Sequence, residues 1–197
     1  MIARGSGKLK VTLQGDREFL FTRTFAAPRE LVFEVLTEPE HVRRWWCCIE
    51  GFTMPICEID LRVGGRWRFV MIAPDGSEIG FRGEYLELAR PTRIVNTEIF
   101  EPYPDNPSVV TLTLEEVDGI THYRALQIHD TPQARDAHVA SGMEAGADLS
   151  LDRVEELARE LASPLSFRPL FSSIRPRNAI ARRSMARRWL QLDELEA

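Results

Sequence analysis

Six short segments between Ile56 and Ile128 constrain this chain more than any other feature. "ICEIDLRV", "RWRFVMI", "EIGFRGEYLEL", "RIVNTEIF", "VVTLTLEEV" and "ITHYRALQI" are separated by Gly64-Gly65, Pro74-Asp75-Gly76, Pro91, the loop from Pro102 to Pro107, and Asp118-Gly119. Short alternating runs bounded by such residues predict strands joined by hairpins, hence a six-stranded antiparallel meander. Trp67, Phe69 and Met71 alternate with Arg66 and Arg68, and Phe81, Gly83 and Tyr85 with Arg82 and Glu84. That alternation predicts one solvated face and one apolar face. An apolar sheet face has to be covered by another layer.

The flanking segments supply the cover. "EFLFTRTF", residues 18–25, places Phe19, Phe21, Arg23 and Phe25 on one side of a further strand and Leu20, Thr22 and Thr24 on the other. Pro28 predicts a helix start, with Leu31, Val32, Val35 and Leu36 as its apolar stripe. Thr37 followed by Pro39 and Glu40 predicts a capping box and a second short helix. Val42, Trp45 and Trp46 then share one helix face. Neighbouring side chains on a helix diverge by about 100°, so one indole is expected to pack inward and the other to cover a flank or a cavity mouth. Beyond the meander, Asp130-Thr131-Pro132 predicts a capped helix reaching about Leu161, broken or kinked at Gly142 and Gly146. Its stripe of Ala147, Leu151, Val154, Ala158 and Leu161 opposes Asp152, Glu155, Arg159 and Glu160. The class is therefore α+β.

Charge divides the chain. Its 197 residues carry a net charge of −5, but seven Arg against three Asp or Glu from Ser163 onward give that tail +4 and the remainder −9. The reading is a main domain at 1–162 and an Arg-rich, partly helical tail at 163–197. The acidic domain speaks against a nucleic-acid-binding core, which relies on neutralising phosphates. No apolar run approaches the ~20 residues of a membrane span. Three cysteines cannot all pair, and no cleavable apolar leader opens the chain, so a reducing cytoplasm is expected. Met185, Trp189 and Leu192 stand at helical spacing among the tail arginines, which fits self-docking or a homodimer arm better than membrane binding.

The stretch "EPEHVRRWWCC", residues 38–48, invites a metal reading, since Cys57 follows. Structural zinc needs four donors, usually with cysteines spaced two to four residues apart, and His41, His122, His129 and His138 show no paired spacing. Free, buried or half-buried thiols are the expectation, with no metal and no cofactor. A catalytic set would need nucleophile, base and orienting group together. His129 or Tyr85 with Glu98 is a candidate, but alternation leaves their facing open, and no hydrolase elbow or phosphate loop occurs. A non-enzyme is favoured. Trp45, Trp46, Trp67, Phe69, Phe81 and Tyr85 serve an all-core packing and a cavity wall equally well.

The order strand, two short helices, meander, long helix resembles the helix-grip fold of the START-like superfamily. "DREFLFTRTFAAPRELVFEVLTEPEHVRRWW", "CEIDLRVGGRWRFVMIAPDG", "GEYLELARPTRIVNTE" and "GMEAGADLSLDRVEEL" resemble bacterial single-domain relatives of the activator of Hsp-90 ATPase C-terminal domain, over about Lys8 to Leu161. The resemblance implies a curved antiparallel sheet of about seven strands wrapped around the long C-terminal helix, with a cavity between them. It also implies binding of a small hydrophobic or amphipathic ligand by Trp45, Trp46, Trp67, Phe69, Phe81, Tyr85, Met143, Ala147 and Leu151. Its alternatives are partnership with a chaperone and a cyclase or hydrolase chemistry in the same cavity. Two positions depart from the family pattern: Cys47-Cys48 where Gly-Pro is usual, and Ala147 where a large aromatic is usual. The room beside Ala147 is expected either to enlarge the pocket or to be plugged by Phe167, Leu170 and Phe171 of the tail.

Overall fold

The computed structural model describes residues 8–163. The expectations placed on the tail lie outside them. Eight strands form one antiparallel sheet: β1 (Lys10–Gln14), β2 (Glu18–Phe25), β3 (Thr53–Ile59), β4 (Arg66–Ile72), β5 (Glu78–Ala89), β6 (Arg93–Phe100), β7 (Ser108–Val117) and β8 (Ile120–His129). Between β2 and β3 lie α1 (Arg29–Thr37) and α2 (Pro39–Trp46), and α3 (Pro132–Ala140) and α4 (Met143–Ala162) follow β8. The strand order is β1-β2-β8-β7-β6-β5-β4-β3, so the six-stranded meander is realised and the two short helices carry the chain from one side of the sheet to its far edge.

The sheet has eight strands where about seven were expected. The additional one is β1, which pairs with β2 from Lys10 opposite Thr22 to Gln14 opposite Glu18. "KVTLQ" is short and four of its five residues are exposed, so its alternation carries little apolar signal. Asp118 and Gly119 close the β7–β8 hairpin, both with positive φ, 52° and 74°. That geometry matches the twist of the flanking strands, and the Asp-Gly pair is suited to it.

The helices depart from expectation in three places. Thr37 does not cap α2: it is the last residue of α1, and its buried hydroxyl donates to the Phe33 carbonyl 2.7 Å away. Glu38 stands at the N-cap instead, without a side-chain bond, and Pro39 supplies the first turn. Phe33, outside the expected stripe, is buried with Val32 and Val35, while Leu31 and Leu36 are half-buried, because α1 is enclosed on more than one side. Gly142, with φ of 80°, ends the helical run and starts α4, whereas Gly146 lies inside α4 without interrupting it.

Thr131 caps α3 as expected, its hydroxyl accepting from the Ala134 amide at 3.1 Å. Thr131→Ala is expected to cost about 1 kcal/mol, read as a shift of the urea midpoint at unchanged slope.

Leu151, Val154, Leu157 and Ala158 of α4 share one apolar cluster with Phe25, Trp67, Phe69, Tyr85, Ile94, Leu112, Leu114 and Ala125 of the sheet. The helix therefore covers the apolar sheet face. Glu155, assigned by periodicity to the polar side, is 3% exposed. Arg23 explains the difference. It projects from the apolar side of β2 and its guanidinium contacts Asp148 at 3.4 Å, Glu155 at 3.2 Å, and Asp152.

Candidate functional site

The face of the sheet beneath α4 carries two kinds of wall. One is aromatic. Trp45 points inward, buried, with its indole N–H donating to the Val35 carbonyl at 2.8 Å. Trp46 is half-buried and turns the other way, its ring 4.9 Å from Phe69, 5.5 Å from Phe81 and 6.3 Å from Trp67, centroid to centroid. Phe81 stacks on Phe100 at 5.0 Å. Trp67, Phe69 and Tyr85 are buried in this wall, and both indoles of α2 belong to the same cluster, Trp45 buried within it and Trp46 half-buried against it. On α4, Leu151 is buried, whereas Met143 and Ala147 are half-buried. Eight of the nine residues singled out belong to one apolar cluster or pack against it, at different depths, and Met143 does not.

The other wall is polar and contains groups that periodicity did not locate. Glu98 on β6, Ser108 on β7 and His129 on β8 are consecutive partners across neighbouring strands. Gln127 donates through Nε2 to Glu98 Oε1 at 2.9 Å and to Ser108 Oγ at 2.8 Å. Ser108 Oγ in turn donates to the Glu98 carbonyl at 3.3 Å. Burial raises the Glu98 carboxyl above the ordinary range, partly offset by the Gln127 hydrogen bond. Tyr123 is likewise raised by burial and then by the nearby Glu98. Both side chains are half-buried.

Glu98 could have been found only by parity. Ile94, Asn96, Glu98 and Phe100 form one side of β6, and Val95, Thr97 and Ile99 the other, with similar apolar content. Only the register, which sets Ile94 opposite Leu112 and Glu98 opposite Ser108, decides which side faces α4.

The candidate pairings of Glu98 with His129 or Tyr85 are not those the hydrogen bonds make. His129 Nε2 instead lies 3.1 Å from Nδ1 of His138 on α3, with Phe19 against both rings. Ser108 Oγ is engaged by Gln127 and the Glu98 carbonyl, so the row contains no bonded nucleophile–base couple of the kind hydrolases use.

Burial lowers both imidazoles, His138 to about 4, with the neighbouring His129 as the second cause. For His129 the Arg17 hydrogen bond opposes the burial effect, Arg135 lowers it further, and Asp130 raises it least. An unfolded imidazole near 6.5 binds the proton more readily than these folded ones. Their contribution to stability is therefore complete above pH 6.5 and is lost as pH falls towards about 4. Thermal melts across that interval are expected to show a steeper fall for the native chain than for His138→Phe; equal slopes would contradict the assignment.

A sequence model described as Activator of Hsp90 ATPase homolog 1-like protein matches residues 26–159. The chain belongs to this family. A solved Rhodobacter sphaeroides protein superposes with a TM-score of 0.72 at 26% identity, over 78% of this chain and 99% of its own. One from Nitrosomonas europaea gives 0.66 at 27% identity, over 76% and 99%. A Mycobacterium smegmatis protein, at 22% identity, TM-score 0.67 and coverage of 77% and 96%, shares the fold. No curated protein matches in sequence.

In this family member all three cysteines are free thiols, Cys57 buried and Cys47 and Cys48 half-buried. Cys48 Sγ lies 3.8 Å from Ser150 Oγ on α4. Desolvation, then Cys48, raises the Cys47 thiol, and burial raises Cys57 despite Arg43. Thiols held protonated are poor nucleophiles and poor metal ligands. No described helix is long and apolar enough to cross a membrane.

Proposed function

We propose that this chain is a cytoplasmic, non-catalytic binding protein for a small hydrophobic or amphipathic molecule, held between the sheet and α4 without a cofactor. The observation that carries the reading is the half-buried state of Phe21, Val110 and Tyr123, whose same-face neighbours Phe19, Arg23, Ser108, Leu112, Thr121 and Ala125 are buried, and of Phe81, Asn96 and Glu98 beside them. Side chains that face a covering helix yet keep accessible surface border a space, and an aromatic wall with a few polar groups is the usual lining of a ligand site. Trp45, Trp46, Trp67, Phe69, Phe81, Tyr85, Met143, Ala147 and Leu151 are the proposed wall on the apolar side.

The test is titration with an apolar fluorescent dye, followed through energy transfer from the tryptophans. Saturation at one dye per chain, reversed by a lipid extract, supports the reading; linear, unsaturable uptake rejects it. The family name favours a second reading, a module that binds an Hsp90-type chaperone. Turnover of such an ATPase with and without the protein decides it, since a dedicated partner changes the rate at stoichiometric concentration.

A further inference from the structure

The polar wall restricts what the proposed ligand can be. Glu98 Oε1 is occupied by the Gln127 amide, whereas Oε2 accepts no hydrogen bond from the described residues and is not among their sealed polar atoms. No Lys or Arg of the described residues forms an ion pair with Glu98. Arg23, the buried arginine of the same sheet face, is committed to Asp148, Asp152 and Glu155. An ionised carboxylate at this position would have one amide N–H and no countercharge, a costly state for an enclosed group. The raised carboxyl is the response to that cost. A neutral carboxyl has one carbonyl-type oxygen and one O–H. In that form, with Oε1 accepting from the Gln127 amide, the O–H lies on Oε2, where no described residue accepts it. Tyr123, within electrostatic reach of Glu98, adds a second hydroxyl that has no hydrogen bond among the described residues.

We propose that the site selects a neutral, largely apolar molecule carrying a carbonyl oxygen, a ketone or an ester, which accepts a hydrogen bond from Glu98 Oε2–H. The inference rests on the ligand-binding reading above and names the ligand class for that site. A cationic head would need the ionised carboxylate, and an anionic head would meet no free cation on this wall. The aromatic wall of Trp46, Phe81 and Phe100 takes the apolar remainder.

The test compares four probes of equal chain length by calorimetry: a long-chain methyl ketone, the alkane, the primary amine and the carboxylate. The ketone is expected to bind about 10-fold more tightly than the alkane, the margin of one well-made hydrogen bond. Its carbonyl stretch in the infrared should fall on binding. Glu98→Gln keeps an N–H donor and is expected to retain most of that margin, whereas Glu98→Leu erases it together with the infrared shift. The amine binding best, with that preference lost in Glu98→Gln, overturns the inference in favour of an ionised carboxylate. Equal binding of ketone and alkane overturns it while the apolar site stands. Failure of all four probes removes the binding reading itself, and the inference with it.

Discussion

Arg23→Met is expected to lower the melting temperature of the protein by roughly 10 °C. The Arg23 side chain is 1% exposed and Glu155 4%, so removing the guanidinium leaves the Glu155 carboxylate without its buried cation in the packed layer between β2 and α4, with only the half-exposed Arg159 still bonded to it. Breaking one partner of a buried pair costs about 3–5 kcal/mol, and a domain of this size loses ~2–4 °C for each. Asp152 moderates the loss only partly, because it is 62% exposed and can turn to water. Arg159 moderates it further, bonding Glu155 at 2.7 Å. The double variant Arg23→Met, Glu155→Met removes the stranded charge as well and is expected to recover much of the stability, a coupling that a mutant cycle measures directly. An unchanged melting temperature in Arg23→Met would mean that the network contributes nothing.

Ala147→Trp is expected to abolish ligand uptake while leaving the melting temperature unchanged or higher. Ala147 is half-buried on the first turns of α4 and packs beside the core cluster. An indole entering a vacant space gains contacts and occupies volume that the ligand needs. In a filled space the same substitution would overpack, costing about 1–3 kcal/mol. Dye titration and a thermal melt on one sample separate the outcomes: retained uptake defeats the placement of the pocket beside Ala147, and a clear loss of stability shows that the space is already filled.

These two substitutions act on features that differ in how they were encoded. The strand meander, the hairpin at Asp118-Gly119, the cap at Thr131 and the unequal burial of Trp45 and Trp46 follow from residues a few positions apart. Alternation, turn chemistry and helix phase are local properties and survive being read along a line. The family motifs extend that legibility to the fold as a whole. Thr37 marks the limit of such reading: its hydroxyl had two local partners available, the amide N–H groups of a following helix start or the carbonyl of its own preceding turn, and the packing of α1 chose the second.

The site was decided at longer range. Whether Glu98 faces α4 depends on the pairing of β6 with β7, because both sides of β6 are similarly apolar and a one-residue slip would exchange them. Glu155 is buried because Arg23, 132 positions away, meets it there, and helix periodicity contains no information about that partner. The Gln127–Glu98 bond joins residues 29 apart, on strands separated by β7. Composition and periodicity determined which elements this chain forms and that one sheet face would need a cover. Register and helix docking determined which polar groups were enclosed beneath that cover, since burial of a charge and the presence of its partner are properties of the folded arrangement and not of any segment within it.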